Sequence, residues 1–305
     1  MSMTMRILLT GGHGFVGTHL KTRLKERLPD HVLIEGQMDI LDREAVERVV
    51  QDTRPNACIH LAAVSSVLEA SQDTRHAWQV NLDGTMNLAE TFQRHARHIR
   101  FVFVSSAEIY GASFSEDKPL DETATVAPLN SYAASKAAAD MAVGMLAKEG
   151  LHAVRMRPFT QAGSGQDANA ILPFLAAQVA RVEAHQQSEI TLGHPDAGYD
   201  IMNVRDACDA YIDALTLSQA PPDGTVLNIC SGQTRTASAI LNDLMALADV
   251  KAEIRLDPTH FAPSGLENMQ GDPREAEQLL GWKPQISWNN TLEEVLNDWR
   301  WRIRS

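Results

Sequence analysis

No stretch of the 305-residue chain is apolar for long enough to span a bilayer, so a membrane partner is not expected. Cysteine is scarce as well. Cys58, Cys208 and Cys230 form neither a close pair nor a metal-ligand spacing. That excludes a disulfide scaffold and a zinc module, and leaves buried, reduced thiols as the expectation. An excess of positive charge is also missing. The 27 Lys and Arg face 39 Asp and Glu, a formal net charge of -12. Such a surface repels a polyanion, so nucleic acid is not the expected partner, although a local basic pocket for phosphate is compatible with it. The first residues, Met-Ser-Met-Thr-Met-Arg, lack the apolar core of a signal peptide, because Ile7-Leu8-Leu9 gives way at once to glycines. A cytoplasmic location is the corresponding expectation.

What is present is an ordinary globular composition, 44% hydrophobic and 22% charged. In the first half, short apolar runs alternate with helical patterns. Strands are predicted at 5–10, 32–35, 57–60, 101–105 and 152–156, and helices at 15–28, 43–51, 75–97 and 131–149. This alternation implies βαβ units. The expected fold class is α/β, a Rossmann-type doubly wound parallel sheet with a smaller C-terminal substrate lobe. After Arg157-Pro158 the rhythm changes. Residues 159–170 read as a loop, 171–185 and 204–217 as helices, 225–230 as a strand, and 236–249 and 273–281 as further helices. The dinucleotide-binding domain is therefore expected at 1–158, plus returning segments at about 200–231. The substrate lobe is expected at 159–199 and 232–305.

Thr10 to Gly17 reads T-G-G-H-G-F-V-G, directly after the first apolar run and before a helix. A dinucleotide site needs glycine for the strand-to-helix turn, for close approach of the pyrophosphate, and for helix–strand packing. Gly11, Gly14 and Gly17 meet those needs, with His13, Phe15 and Val16 in the same turn. The free N–H groups of the helix start would face the phosphates. Glu35 ends the second strand, where a carboxylate would bond the adenosine ribose and repel a 2′-phosphate. That leans toward NAD, with NADP as the alternative. Asp39 and Ile40 would hold the adenine edge. Leu61, Ala62 and Ala63 follow the strand 57–60, small enough for a cofactor to lie against their backbone. No metal site is expected: His13 has no second ligand at a useful spacing.

Tyr132 and Lys136 stand four apart on a predicted helix and share one face. A free phenol has a pKa of about 10, too high for acid–base work near neutrality. An adjacent ammonium would lower it. Ser105-Ser106-Ala107-Glu108 ends the strand 101–105, which places hydroxyls at a carboxyl edge of the sheet, where ligands of such folds bind.

These elements together resemble the extended short-chain dehydrogenase/reductase family, over most of the chain. The matching motifs are T-G-G-H-G-F-V-G, H-L-A-A, Asn81, S-S-A-E-I-Y-G, Y-A-A-S-K and R-P-F. The resemblance implies that Tyr132 is the acid–base, that Lys136 tunes it and bonds the nicotinamide ribose, and that Ser106 bonds the reacting oxygen. It implies that Asn81 orders the cofactor side, and it adds Pro158 to the cofactor set. Residues 165–184, V-R-D-A at 204–207, and G-D-P-R at 271–274 resemble the reductases of GDP-4-keto-6-deoxy-mannose. The implied substrate contacts are Ser65, Ser106, Ala107, Glu108, Thr160, Gln178, Tyr199 and Arg205, and the implied assembly is a homodimer built on the helices 75–97 and 131–149, where Ala134, Ala137, Ala138 and Ala142 would allow close packing.

Three positions depart from that branch. Thr160 stands where it has asparagine. Tyr199 precedes Asp200 where it has arginine. The region of Ala262 lacks another arginine. Two lost arginines remove charge-assisted bonds of about 1.5–3 kcal/mol each from a phosphate site. Either Arg181, Arg205, Arg235 or Arg255 replaces them, or the substrate is a free sugar or sugar acid. Glu108 keeps a 4,6-dehydratase in view, since those enzymes carry an acid at this spacing, and an epimerase is a further alternative. A cofactor-binding protein without activity has no need of the Ser106, Tyr132 and Lys136 set.

Overall fold

The structure, a computed structural model, describes residues 4–35, 38–96, 99–116, 118–217, 221–259 and 268–304. The chain opens with β1 (Arg6–Thr10), α1 (Phe15–Arg27), β2 (Val32–Glu35), α2 (Arg43–Thr53) and β3 (Ala57–His60). Then α3 (Val67–Gln72), α4 (Thr74–Trp78), a π-helical turn at Gln79–Gly84 and α5 (Thr85–His95) lead to β4 (Arg100–Val104). A kinked 3-10 segment, Ala107–Glu116, and α6 (Ser131–Lys148) precede β5 (Ala153–Pro158). Next come β6 (Thr160–Ala162), α7 (Ile171–Glu183), β7 (Glu189–Leu192), β8 (Gly198–Asn203), α8 (Val204–Thr216) and β9 (Thr225–Ile229). The chain continues through β10 (Thr234–Thr236), α9 (Ala237–Ala248), β11 (Glu253–Leu256), β12 (Asn268–Met269), α10 (Arg274–Leu280) and α11 (Trp288–Arg304).

Six strands form one all-parallel sheet in the order β2-β1-β3-β4-β5-β9. Ile7-Leu8-Leu9 and Phe101-Val102-Phe103 are buried on both faces, which is why these strands read as unbroken apolar runs. The order reverses between β1 and β3. Such a reversal leaves a crevice at the carboxyl edge, the place where folds of this kind bind ligands. The Rossmann-type fold expected from the sequence is the one observed.

Some elements differ from the expectation. The helix predicted at 75–97 is α4, the π-turn and α5, and its residue 97 lies outside the described residues. The turn is local to Asn81, which is fully buried and whose carbonyl accepts from Thr85 Oγ1 at 2.6 Å. Single π-turns of this kind recur at functional sites. The region read as a loop contains β6. The strands β7, β8, β10, β11 and β12 have no counterpart in the sequence reading, because each is only two to six residues long and none is an apolar run buried throughout.

The main sheet has a core on each face, and α7, α9 and α11 enclose a separate one with β7. By sequence, residues 232–305 belong to the lobe. In the structure Ala276, Leu280 and Trp282 instead pack in the core beneath β5 and β9. Trp282 is drawn there by a partner for its indole N–H, which donates to the Asp206 carbonyl at 2.8 Å. Asp200 on β8 joins the parts. Its buried carboxylate accepts from Ser231 N, Ser231 Oγ, Gly232 N and Gly271 N at 2.6–3.2 Å. The three cysteines are buried and unpaired.

Candidate active site

The glycine turn bridges β1 and α1. Gly11 has φ +72, and a Cβ there would lie 2.6 Å from the Ala62 backbone nitrogen. A Cβ on Gly17 would lie 2.3 Å from the Gly11 carbonyl oxygen. Both glycines are thus required by the protein itself. Gly14 is different: it is exposed, and its nearest protein atom would be in ordinary contact at 3.5 Å. No side chain caps α1, and its first turn carries no acid. An open glycine face over an uncapped helix start fits a dinucleotide pyrophosphate. Phe15 and Val16 are half-buried and His13 is exposed in the same turn.

Glu35 ends β2 and pairs with Lys21 of α1 at 3.0 Å, with His13 Nε2 4.0 Å away. The carboxylate expected at the ribose therefore has a cation beside it, which softens the repulsion of a 2′-phosphate. Asp39 is exposed and accepts from Leu41 N at 2.9 Å. Ile40 is buried against Gly84 of the π-turn. Across the crevice, Leu61, Ala62 and Ala63 are half-buried, and Ala62 N donates to Thr10 Oγ1 at 3.3 Å. Asn81 accepts from Val64 N at 2.8 Å and donates to the Val64 carbonyl and to Ser135 Oγ. It thereby fixes the 61–64 segment against α6. Pro158 is buried at the end of β5, and Ser65 is exposed beyond β3.

The hydroxyls and the amine of the expected site sit where β4 ends. Tyr132 is nearly buried and hydrogen-bonded to Ser106. Ser106 Oγ accepts from the Glu108 backbone N–H at 3.1 Å, and Ala107 is buried between them. Lys136, one turn along α6, donates to the Val104 carbonyl at 2.7 Å and lies 4.7 Å from the centre of the Phe103 ring. Burial pushes the Tyr132 phenol well above its ordinary value. Glu108 adds to that shift, and Ser106 opposes it. The expectation that Lys136 lowers Tyr132 is corrected here: desolvation dominates, and the ammonium is turned toward Val104. A phenol held in its protonated form is suited to giving a proton. Burial lowers Lys136 itself to about 8. Burial also raises Glu108, which accepts from Asn130 Nδ2 at 3.2 Å. Asn130 carries no motif that marks it in the sequence beyond its place just before a predicted helix. It caps α6 through Ala133 N at 2.8 Å, so one side chain starts the helix and aims the acid.

Two expected substrate contacts are committed elsewhere. Gln178 is buried, with both ends of its amide on the Thr191 backbone, at 3.0 Å as donor and 2.8 Å as acceptor. It holds β7 to α7. Arg205 pairs with Glu294 of α11 at 2.6 Å and bonds Asn203 Oδ1. It ties α8 to the lobe. Thr160 is half-buried on β6, in register with Ile201 of β8. Tyr199 is half-buried on β8, directly opposite Arg235 of β10. Arg235 lies 4.5 Å over the Trp288 ring, so a cation stands beside the position from which an arginine is missing. Ala262 lies outside the described residues. No cluster of metal-ligating side chains occurs among the described residues, and no described helix is long and apolar enough to cross a membrane.

Comparison with known proteins covers almost the whole chain. Residues 25–295 match the family model of GDP-mannose 4,6 dehydratase. The chain is 31% identical to a GDP-6-deoxy-D-mannose reductase of Pseudomonas aeruginosa, over 99% of each sequence. It is 30% identical to a GDP-6-deoxy-D-talose 4-dehydrogenase of Aggregatibacter actinomycetemcomitans, over 91% of this chain and 92% of the relative. Among solved structures, RMD from Pseudomonas aeruginosa complexed with NADPH superposes with a TM-score of 0.89 at 30% identity, covering 98% of this chain and 100% of that one.

Proposed function

We propose, for a chain that belongs to the GDP-mannose 4,6 dehydratase family of extended short-chain dehydrogenases/reductases, that it reduces the C4 ketone of a GDP-linked 4-keto-6-deoxy sugar with NAD(P)H. The observation that carries this reading is the buried Tyr132 phenol, bonded to Ser106 and one turn from Lys136, at the edge of the crevice beside the glycine turn. Bound NAD(P)H would supply the hydride. Ser106 and Tyr132 would hold the ketone oxygen between two hydroxyls. Tyr132 would give its proton to that oxygen as charge develops on it. Lys136 would lie under the nicotinamide ribose.

The reading is tested by NADPH oxidation with GDP-4-keto-6-deoxy-mannose, compared with a dTDP-linked 4-keto-6-deoxy sugar and a free keto sugar. The GDP-linked ketone is expected to give the highest kcat/KM. Equal turnover of the free sugar would favour the second reading, a reductase of free sugars, for which Tyr199 and Thr160 speak because they stand in place of an arginine and an asparagine.

The cofactor is NAD(P), with Glu35 and Lys21 setting the balance. Glu35→Ala should raise the NADPH to NADH ratio of kcat/KM by about tenfold, because it removes a carboxylate from the 2′ position and frees Lys21. An unchanged ratio would take Glu35 out of the ribose site. We further propose a homodimer through α5 and α6, where Met141 and Met145 stand exposed one turn apart, and a cytoplasmic location, consistent with the unpaired thiols. A monomeric mass by light scattering would contradict the dimer.

A further inference from the structure

Asp140 is 1% exposed and lies one turn beyond Lys136 on α6. Its carboxylate accepts from Arg155 Nη1 at 2.8 Å and from Arg157 Nε and Nη2 at 3.2 and 2.9 Å. Both arginines come from β5. Arg157 reaches further: its Nη1 donates to Tyr110 OH at 3.0 Å, and that hydroxyl donates to Asn228 Oδ1 at 2.7 Å. One carboxylate thus connects three parts of the site. They are the helix carrying Tyr132 and Lys136, the strand β5, and the 107–116 segment that follows Ser106 and carries Glu108. Apolar packing would join α6 to β5 at no greater cost, since buried ion pairs add little net stability over well-packed hydrophobic residues. The charges therefore call for a reason beyond stability.

Lys136 supplies one. Its hydrogen-bond partner is a neutral carbonyl and its ring contact is Phe103. The charges that couple to it are His60 on β3 and Asp140 on α6; Tyr132 shares its helix, Glu108 faces Tyr132, and Arg155 and Arg157 on β5 reach it through Asp140. His60 is held neutral, lowered to about 3 by burial and by Lys136. Glu108 is raised by burial and faces Tyr132. Asp140 is kept ionised by its two arginines against the pull of burial, and it is the anion that opposes the desolvation of Lys136.

We propose that Asp140 is a positioning residue of the active site: clamped between Arg155 and Arg157, it holds a fixed anion one turn from Lys136 and ties α6 to the segment that bears Glu108. Its consequence for turnover rests on the reductase reading; its consequence for Lys136 does not.

The test reads Lys136 directly, by NMR titration of enzyme carrying 13C-labelled lysine, with the resonance assigned through Lys136→Met. The wild-type midpoint is expected near 8. In Asp140→Asn it should fall by about one unit or more, because the anion that opposes the desolvation of Lys136 is gone. In Arg157→Gln it should rise, because the carboxylate is less neutralised. Asp140→Glu should restore the wild-type midpoint. The alkaline limb of kcat/KM should move the same way in each variant, since Lys136 is charged below its midpoint and neutral above it. An unmoved midpoint in Asp140→Asn, with activity lost equally at every pH, would overturn the proposal and leave only a structural tie. Should Asp140→Asn not fold, Arg157→Gln decides alone, and an unchanged or lower midpoint there overturns it. Shifted midpoints without turnover of the GDP-linked ketone would remove the reductase reading and leave Asp140 in its role. Turnover with unmoved midpoints would do the reverse.

Discussion

Tyr132→Phe is expected to lower kcat by about 10²–10⁴ while the cofactor binds as it does to the wild type. The reasoning is local. Tyr132 sits in a buried site with its hydroxyl on Ser106, and phenylalanine preserves the ring while deleting the hydroxyl proposed to hand over the proton. The ring is already desolvated, so the substitution opens no cavity. It leaves Ser106 its bond from the Glu108 backbone. Cofactor affinity should hold, because the glycine turn and Lys136 are untouched. Single-turnover kinetics beside a fluorescence titration of NADPH would separate the two. A variant that kept wild-type turnover would remove Tyr132 from the chemistry. One that lost cofactor binding as well would show that the phenol was needed to build the site.

The second large effect is expected at the glycine turn, with two glycines failing in different ways. Gly17→Ala places a methyl group 2.3 Å from the Gly11 carbonyl oxygen and 2.7 Å from Gly12 Cα, both backbone atoms that cannot move aside alone. The start of α1 must shift from β1, and a stability loss of about 1–3 kcal/mol is expected by analogy with overpacked cores. Cofactor affinity should fall at least about tenfold, because the N–H groups of the first turn move with the helix. Gly14→Ala should act otherwise. Its backbone, at φ -73, suits any residue, and the new methyl group meets the protein only in ordinary contact. Thermal unfolding should be almost unchanged, within about 0.5 kcal/mol, while the dinucleotide loses affinity because the methyl group occupies the open face. If Gly14→Ala bound NADPH normally, the pyrophosphate would not lie over this turn.

These expectations also mark what was legible in the sequence. The glycine turn, the buried apolar strands and the Tyr132–Lys136 spacing depend on residues close together in the chain, so pattern and spacing reveal them. Gln178 and Arg205 depend on partners far along it. Nothing near Gln178 indicates that Thr191 will take both ends of its amide, and nothing near Arg205 points to Glu294. The direction of the Tyr132 shift is hidden from the sequence for a related reason. Spacing places Lys136 on the same helix face, but burial sets the larger effect, and burial is a property of the folded chain. The π-turn at Asn81 and the short strands of the lobe were invisible because each is held by tertiary bonds across only a few residues. Asp140 was hidden as a single acid among alanines, with arginines that join it only when β5 lies beside α6.

The most direct measurement follows the hydride. Enzyme would be given GDP-4-keto-6-deoxy-mannose and NADPH carrying deuterium on the transferable position of the nicotinamide, and the sugar product analysed by NMR. One deuterium at C4 of a GDP-linked 6-deoxy hexose, formed in step with cofactor oxidation, is the expected result. Cofactor oxidation without deuterium at C4 would contradict it, and a changed sugar with no cofactor consumed would contradict it and place the chemistry of Tyr132 and Glu108 with the epimerases instead.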